Sequence, residues 1–192
     1  ASDAFWATLR GRRSVRHYAP RAVEPALVER LLEAAHWAPS AHNRQPWRFV
    51  WLEDRGARRR LAEAMAASWR DDQLADGADP MLVATRATRS IERITTAPVV
   101  ILPCLDLTAL DVYPDEQRQR REWQMGVQSV ALACQNLLLA AHHLGLACCW
   151  LCAPIFCTPL VQGLLDLPAT LEPQALLTVG YPAPHAPTTK PR

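Results

Sequence analysis

Arg10, Arg12, Arg13 and Arg16 crowd one short stretch together with Ser14. Planar guanidinium groups grip phosphate through paired N–H donors, and a hydroxyl adds one more, so the segment is a candidate phosphate cradle. A solvated basic turn has the same composition, and the segment alone does not separate the two. A second stretch, Pro39-Ser40-Ala41-His42-Asn43-Arg44-Gln45-Pro46-Trp47, is rich in amides and fenced by prolines. The side chains of Asn43 and Gln45 each offer two donors and one acceptor, the set needed to read the edge of a pyrimidine-like ring. The same groups can equally satisfy a loop's own backbone. His42 reads as a surface group rather than a base or metal ligand, since His36, His142 and His143 share no ligand spacing with it. A third stretch, Gly145 to Pro154, carries a helix end into a strand and a loop, where backbone amides can face a ligand. Within it Cys149 and Cys152 have the spacing of a redox pair. They follow a long helix where thioredoxin-like motifs open one, and a second pair at zinc spacing is missing, so buried reduced thiols are the expectation.

These stretches need elements to hold them. Ser2 or Asp3 can cap a short helix presenting Phe5, Trp6 and Leu9, interrupted at Gly11. Pro25 suits the first turn of a second helix with Leu27, Leu31, Leu32 and Ala35 on one face, ended before Pro39. Trp47 to Leu52 reads as a strand, and Asp54 caps a helix carrying Leu61, Met65 and Trp69. A turn near 76–79 leads to a helix over 81–95 and then to an apolar β-branched run from Ala97 to Pro103, suited to a buried strand. A loop through 106–115 precedes one long helix from Glu116 to Leu144, stopped by Gly145. Apolar on most sides after Gln124, it is expected to be central. A short strand, a helix start at Thr158-Pro159 and a strand from Ala175 to Val179 come last, before a proline-rich tail. Helices with separated strands predict an α+β fold with a mixed central sheet.

The chain has 192 residues, 49% of them apolar and 21% charged, a globular profile that one domain over 1–192 can bury. A net charge of +2 is too mild to imply a nucleic-acid groove. Of the 21 basic residues only Lys190 is lysine. The N-terminal residues lack a signal-peptide pattern, and the longest apolar stretch, Val127 to Ala141, falls short of a bilayer span. A cytoplasmic protein with no membrane segment and no nucleic-acid partner is expected. The glycine patterns of Rossmann and P-loop sites, and the G-x-S-x-G of serine hydrolases, do not occur.

RRSVRHY at 12–18, LLEAAHWAPSAHNRQPWRFV at 31–50, HHLGLACCWL at 142–151 and LTVGYP at 177–182 resemble, in order and spacing, the nitroreductase family. The resemblance implies an FMN-dependent oxidoreductase, an intertwined homodimer with two FMN sites, each built from both chains. It implies that Arg12, Arg13 and Ser14 hold the FMN phosphate and ribityl chain, and that Arg16 approaches N1 and O2 of the ring. A cation there stabilises negative charge on the reduced ring and raises its potential. Ser40, Asn43 and Gln45 would contact ring or ribityl, and the backbone of Leu151, Cys152 and Ala153 would lie near N5. The family often has glycine where Cys152 stands. Lys190 and Arg192 match a basic tail that reaches the phosphate. Such enzymes need no side-chain acid or base, so no catalytic residue and no metal ligand is expected.

RFVWLEDRGARRRLAEAMAASWRDDQLADG, YPDEQR at 113–118, and CCWLCAPIF followed by LLDLPATLEPQALLTVGYP look in addition like the C-terminal flavin domain of bifunctional coenzyme F420 γ-glutamyl ligases. That resemblance implies reduction of dehydro-F420 to F420, with Asp72 touching the deazaflavin. The PSAHNRQPW loop is nearer the general nitroreductase form, which keeps open an NAD(P)H-dependent nitro- or quinone reductase. A non-catalytic flavin or F420 binder is a further alternative.

Overall fold

The computed structural model describes residues 2–184. Its sheet is built on β2 (Val99–Asp106), in which every residue is buried. That explains why the sequence there is a continuous apolar run rather than an alternating one. β1 (Trp47–Trp51) lies antiparallel along one side of β2 in the register Trp47 to Leu105 and Trp51 to Ile101. On the other side two short strands stand end to end. β5 (Leu176–Gly180) pairs with Val99 to Ile101, and β4 (Leu171–Pro173), which sequence reasoning left as irregular chain, pairs with Cys104 to Asp106. Between them the N–H of Gln174 donates to Pro103 O at 2.9 Å, closing the ladder at the position where proline cannot donate. β3 (Ala147–Leu151) pairs antiparallel with β5 and completes the order β1-β2-β5-β3. Ser14 forms a parallel bridge to Cys148, which makes the sheet mixed.

Helices cover both faces. Against one lie α2 (Pro25–His36) and the long α5 (Glu116–His143), whose Leu31, Ala35, Val130, Ala133, Leu137 and Ala141 pack on Ile101, Leu105, Leu177 and Val179. Against the other lie α3 (Arg55–Ala75), α4 (Pro80–Thr95) and α6 (Thr158–Leu164), with Leu61, Met65, Ile94 and Val161 on Val100, Leu102 and Leu176. Alternate residues of β2 thus serve the two cores. Aspartates set three helix starts: Asp54 accepts from Gly56 N, Asp79 from Leu82 N and Asp115 from Arg118 N. Gly145, at φ 73°, stops α5 in the left-handed region, as expected.

α1 (Ser2–Gly11) has few partners, and its Phe5, Trp6 and Leu9 are exposed. The same holds for one face of α5, where Ala131, Leu132 and Gln135 are open. The expected central helix is therefore covered on only one side by its own chain. Among the described residues no helix is long and apolar enough to cross a membrane.

Candidate active site

The arginine cluster follows the end of α1 and runs along β3, where Val15 N donates to Cys148 O at 3.2 Å. The hydroxyl of Tyr18, with one proton to donate, lies 2.9 Å from Val15 O and 2.8 Å from Thr178 O, so it pins the segment to β5. Burial above all holds Tyr18 far above the ordinary tyrosine range, keeping it a neutral strut. Arg13 donates to the carbonyls of Arg10 and Arg12, and Arg16 to Ser14 O at 3.4 Å. Among the described residues no carboxylate stands within ion-pair distance of Arg13 or Arg16. The positive field reaches the end of α5: burial first, then the charges of Arg12 and Arg13, holds His142 below its usual range.

Next to this cluster a cleft of about 840 Å³ opens between α3, α4 and the 3-10 turn at Ala153–Phe156. Trp69 and Asp72 come from α3, Arg86, Arg89 and Arg93 from α4, and Cys152 and Ala153 from the end of β3. β3 links the two, since Ser14 bridges Cys148 and Cys152, just past the strand's end, lines the cleft. Between them the buried Cys149 is raised by burial first and opposed by the charges of both Arg16 and Arg93. Asp72 is exposed but lines the cleft, and its charge helps to raise Cys157. Sequence reasoning missed the three arginines of α4. Their signal was present, since positions 86, 89 and 93 repeat at helical spacing on one face.

The amide-rich stretch is a tight turn around Ala41–Asn43. His42, Asn43 and Gln45 all have positive φ, near 50°. Such backbone favours asparagine over bulky residues and stores strain that its surroundings must hold. Ser40 Oγ accepts from Gln45 N at 3.0 Å, Ala41 N donates to Ser129 Oγ at 3.3 Å, and Asp106 N donates to Pro46 O at 2.8 Å. Ser40 therefore closes its own loop, the backbone-satisfying option, while Asn43 is exposed with its amide free to face outward.

The structure does not bring all the sequence-predicted residues together in one chain. Arg12, Arg13, Ser14, Arg16, Leu151, Cys152 and Ala153 gather at the β3 edge of the sheet, with Asp72 across the cleft. Ser40, Asn43 and Gln45 stand beyond the opposite edge, before β1. Ser129, which holds the loop, and His142, beside the arginines, are 13 residues apart on α5. That is about 20 Å along a helix axis. Lys190 and Arg192 lie outside the described residues. Cys104, Cys134, Cys148 and Cys149 are buried, and Cys152 alone is fully open, with all six thiols free. Cys149 and Cys152 are not bonded to each other.

The segments that carry this geometry match one family, described as the nitroreductase family, over residues 9–181. The chain belongs to the nitroreductase family. A Methanothermobacter thermautotrophicus protein with the provisional name NADH dehydrogenase/NAD(P)H nitroreductase is 28% identical over 181 residues, 91% of this chain and 75% of that one. A provisionally named nitroreductase from Desulfovibrio desulfuricans, solved in complex with FMN, is 30% identical, with a TM-score of 0.73, covering 97% of this chain and 90% of its own. The iodotyrosine deiodinase of Danio rerio is 27% identical over 96% of this chain and 62% of its own. The nitroreductase fold expected from the sequence is thus the fold observed, and the chain is an oxidoreductase of the nitroreductase type.

Proposed function

We propose that this nitroreductase-family enzyme works with FMN as a homodimer, and that its physiological acceptor is dehydro-F420, reduced to F420. The observation that carries the reading is that both sites adjoin β3, where Ser14 bridges Cys148 and Cys152 lines the cleft. A cluster of guanidinium groups without carboxylate partners at Arg13 and Arg16 lies along the same strand as a cleft lined by three more arginines and an aromatic side chain. The cluster fits a phosphate-bearing cofactor, because buried or half-buried cations lacking counter-ions are stabilised by an anion. When bound, FMN supplies hydride transfer, and the protein supplies position and electrostatics. Arg12, Arg13 and Ser14 hold the phosphate and ribityl chain, and Arg16 places positive charge at the edge of the ring. The backbone at Leu151 to Ala153 faces its reacting side. Lys190 and Arg192 are proposed to reach the same phosphate.

The cleft has room for a second ring system over the first. Arg86, Arg89 and Arg93 suit an anionic, phosphate-bearing deazaflavin, Trp69 offers a stacking face, and Asp72 accepts a hydrogen bond from the heterocycle. Ser40, Asn43 and Gln45 act on the cofactor held by the partner chain. Their separation from the arginines within one chain, and the open apolar faces of α1 and α5, support a site shared between copies. Free thiols and no membrane-crossing helix among the described residues support a cytoplasmic enzyme.

The PSAHNRQPW loop and the provisional name of the Methanothermobacter thermautotrophicus relative favour a second reading, an NAD(P)H-dependent nitro- or quinone reductase. One anaerobic experiment separates them. Dithionite-reduced protein is mixed with dehydro-F420, and flavin absorption is expected to reappear as F420 forms. Rapid bleaching by NADPH with nitroaromatic turnover, and no change in dehydro-F420, establishes the second reading. A yellow protein that no donor reduces points to a non-catalytic flavin binder.

A further inference from the structure

Two buried side-chain polar atoms lack a hydrogen-bond partner among the described residues, Trp51 Nε1 and Glu122 Oε2. The second is a carboxylate oxygen in the second turn of α5, on a residue only 1% exposed. A buried carboxylate oxygen with nothing to accept is costly unless a cation or proton meets it. Its sister oxygen, Oε1, accepts from Asp111 N at 3.3 Å. That bond turns the Asp111 segment toward Glu122 and brings two carboxylates together. Arg44, paired with Asp111, neutralises one of them. From the loop before β1, His42 completes the group: a ring nitrogen of His42 and one oxygen each from Asp111 and Glu122 lie within 4.8 Å of one another.

We propose that His42, Asp111 and Glu122 form a binding site for a divalent transition-metal ion. An imidazole nitrogen with two carboxylate oxygens is a donor set that suits Zn2+ and its first-row neighbours rather than Mg2+ or Ca2+, which prefer oxygen throughout. Three protein ligands leave a fourth position for water. Ligands about 2.0–2.2 Å from one ion stand at most about 4.4 Å apart, so the group closes slightly on binding. The exposed His42 and half-exposed Asp111 side chains can make that movement, while the buried Glu122 is the fixed point. The ion would tie the strained turn at 40–45 to α5 and so fix the positions of Ser40, Asn43 and Gln45. The site stands on this chain's own residues and does not depend on the acceptor or cofactor reading.

The test is calorimetric titration of Zn2+ into chelator-treated full-length protein, before and after alkylation of its accessible thiols. The expected result is one Zn2+ per chain, insensitive to alkylation, with affinity lowered more than about tenfold in His42→Asn and in Glu122→Gln. Asparagine tolerates the positive φ of position 42, and that side chain is exposed, so His42→Asn folds even where the buried Glu122→Gln does not. No uptake, uptake lost on alkylation, or uptake unchanged in His42→Asn overturns the proposal.

Discussion

Arg16 and Arg12 sit four residues apart yet are expected to fail differently when truncated. The charge of Arg16 acts, with that of Arg93, on Cys149 in β3, whereas Arg12 acts on His142 at the end of α5. Arg16→Ala is expected to lower the potential of the bound flavin and weaken its retention, measured by anaerobic redox titration. An unchanged potential would show that Arg16 does not reach the ring. Arg12→Ala should mainly raise the dissociation constant for FMN, by roughly tenfold or more for a lost charge-assisted bond. His142 provides a readout that needs no activity. Its folded value is held down, so the neutral form is favoured; its contribution to stability is complete above about pH 6.5 and is lost as pH falls through the folded value. A phosphate seated on Arg12 and Arg13 removes much of their repulsion, so FMN should raise the His142 value in an NMR titration. Burial pushes the Cys104 and Cys134 thiols up to about 12, so at pH 8 iodoacetamide should label the exposed Cys152 and spare both of them.

Among the elements, α5 shows most clearly how a helix is placed by its neighbours. Gly126 lies where a Cβ would stand 2.9 Å from Leu105 Cδ1 and from Leu110 Cδ2, so the helix approaches β2 through a gap that only glycine leaves. In an isolated helix Gly→Ala is stabilising by about 1 kcal/mol. Here the buried leucines must shift, and Gly126→Ala is expected to destabilise by about 1–3 kcal/mol, read from urea unfolding. A stabilised variant would mean that the leucines yield freely. Element types and most boundaries were legible because hydrophobic period marks the helices and, at Asp54, a capping residue agrees with it; the caps at Asp79 and Asp115 came only with the structure. β4 was not, because its Leu-Glu-Pro has no alternation to read and becomes a strand only by pairing with the far end of β2.

For the whole molecule the open apolar faces are the decisive feature. Leu132 is 47% exposed on a helix that its own chain covers on one side only. If copies meet there, Leu132→Arg should give a monomer by light scattering and, because the cofactor site would lose the partner's loop, a protein purified without flavin. A dimer that keeps its flavin would place the interface elsewhere. The sequence by itself determined the α+β character, the buried central strand, the arginine cluster and the amide-rich loop, because each is written in local residue type and spacing. Only the tertiary structure decided which of them meet. It put the cluster beside a cleft lined by α4 arginines, left the 40–45 loop about 20 Å away along α5, and gathered into one group His42, Asp111 and Glu122, a buried residue with one unpartnered oxygen. Those distances depend on how strands are ordered and how helices lie across them, and neither leaves a periodic trace in the chain.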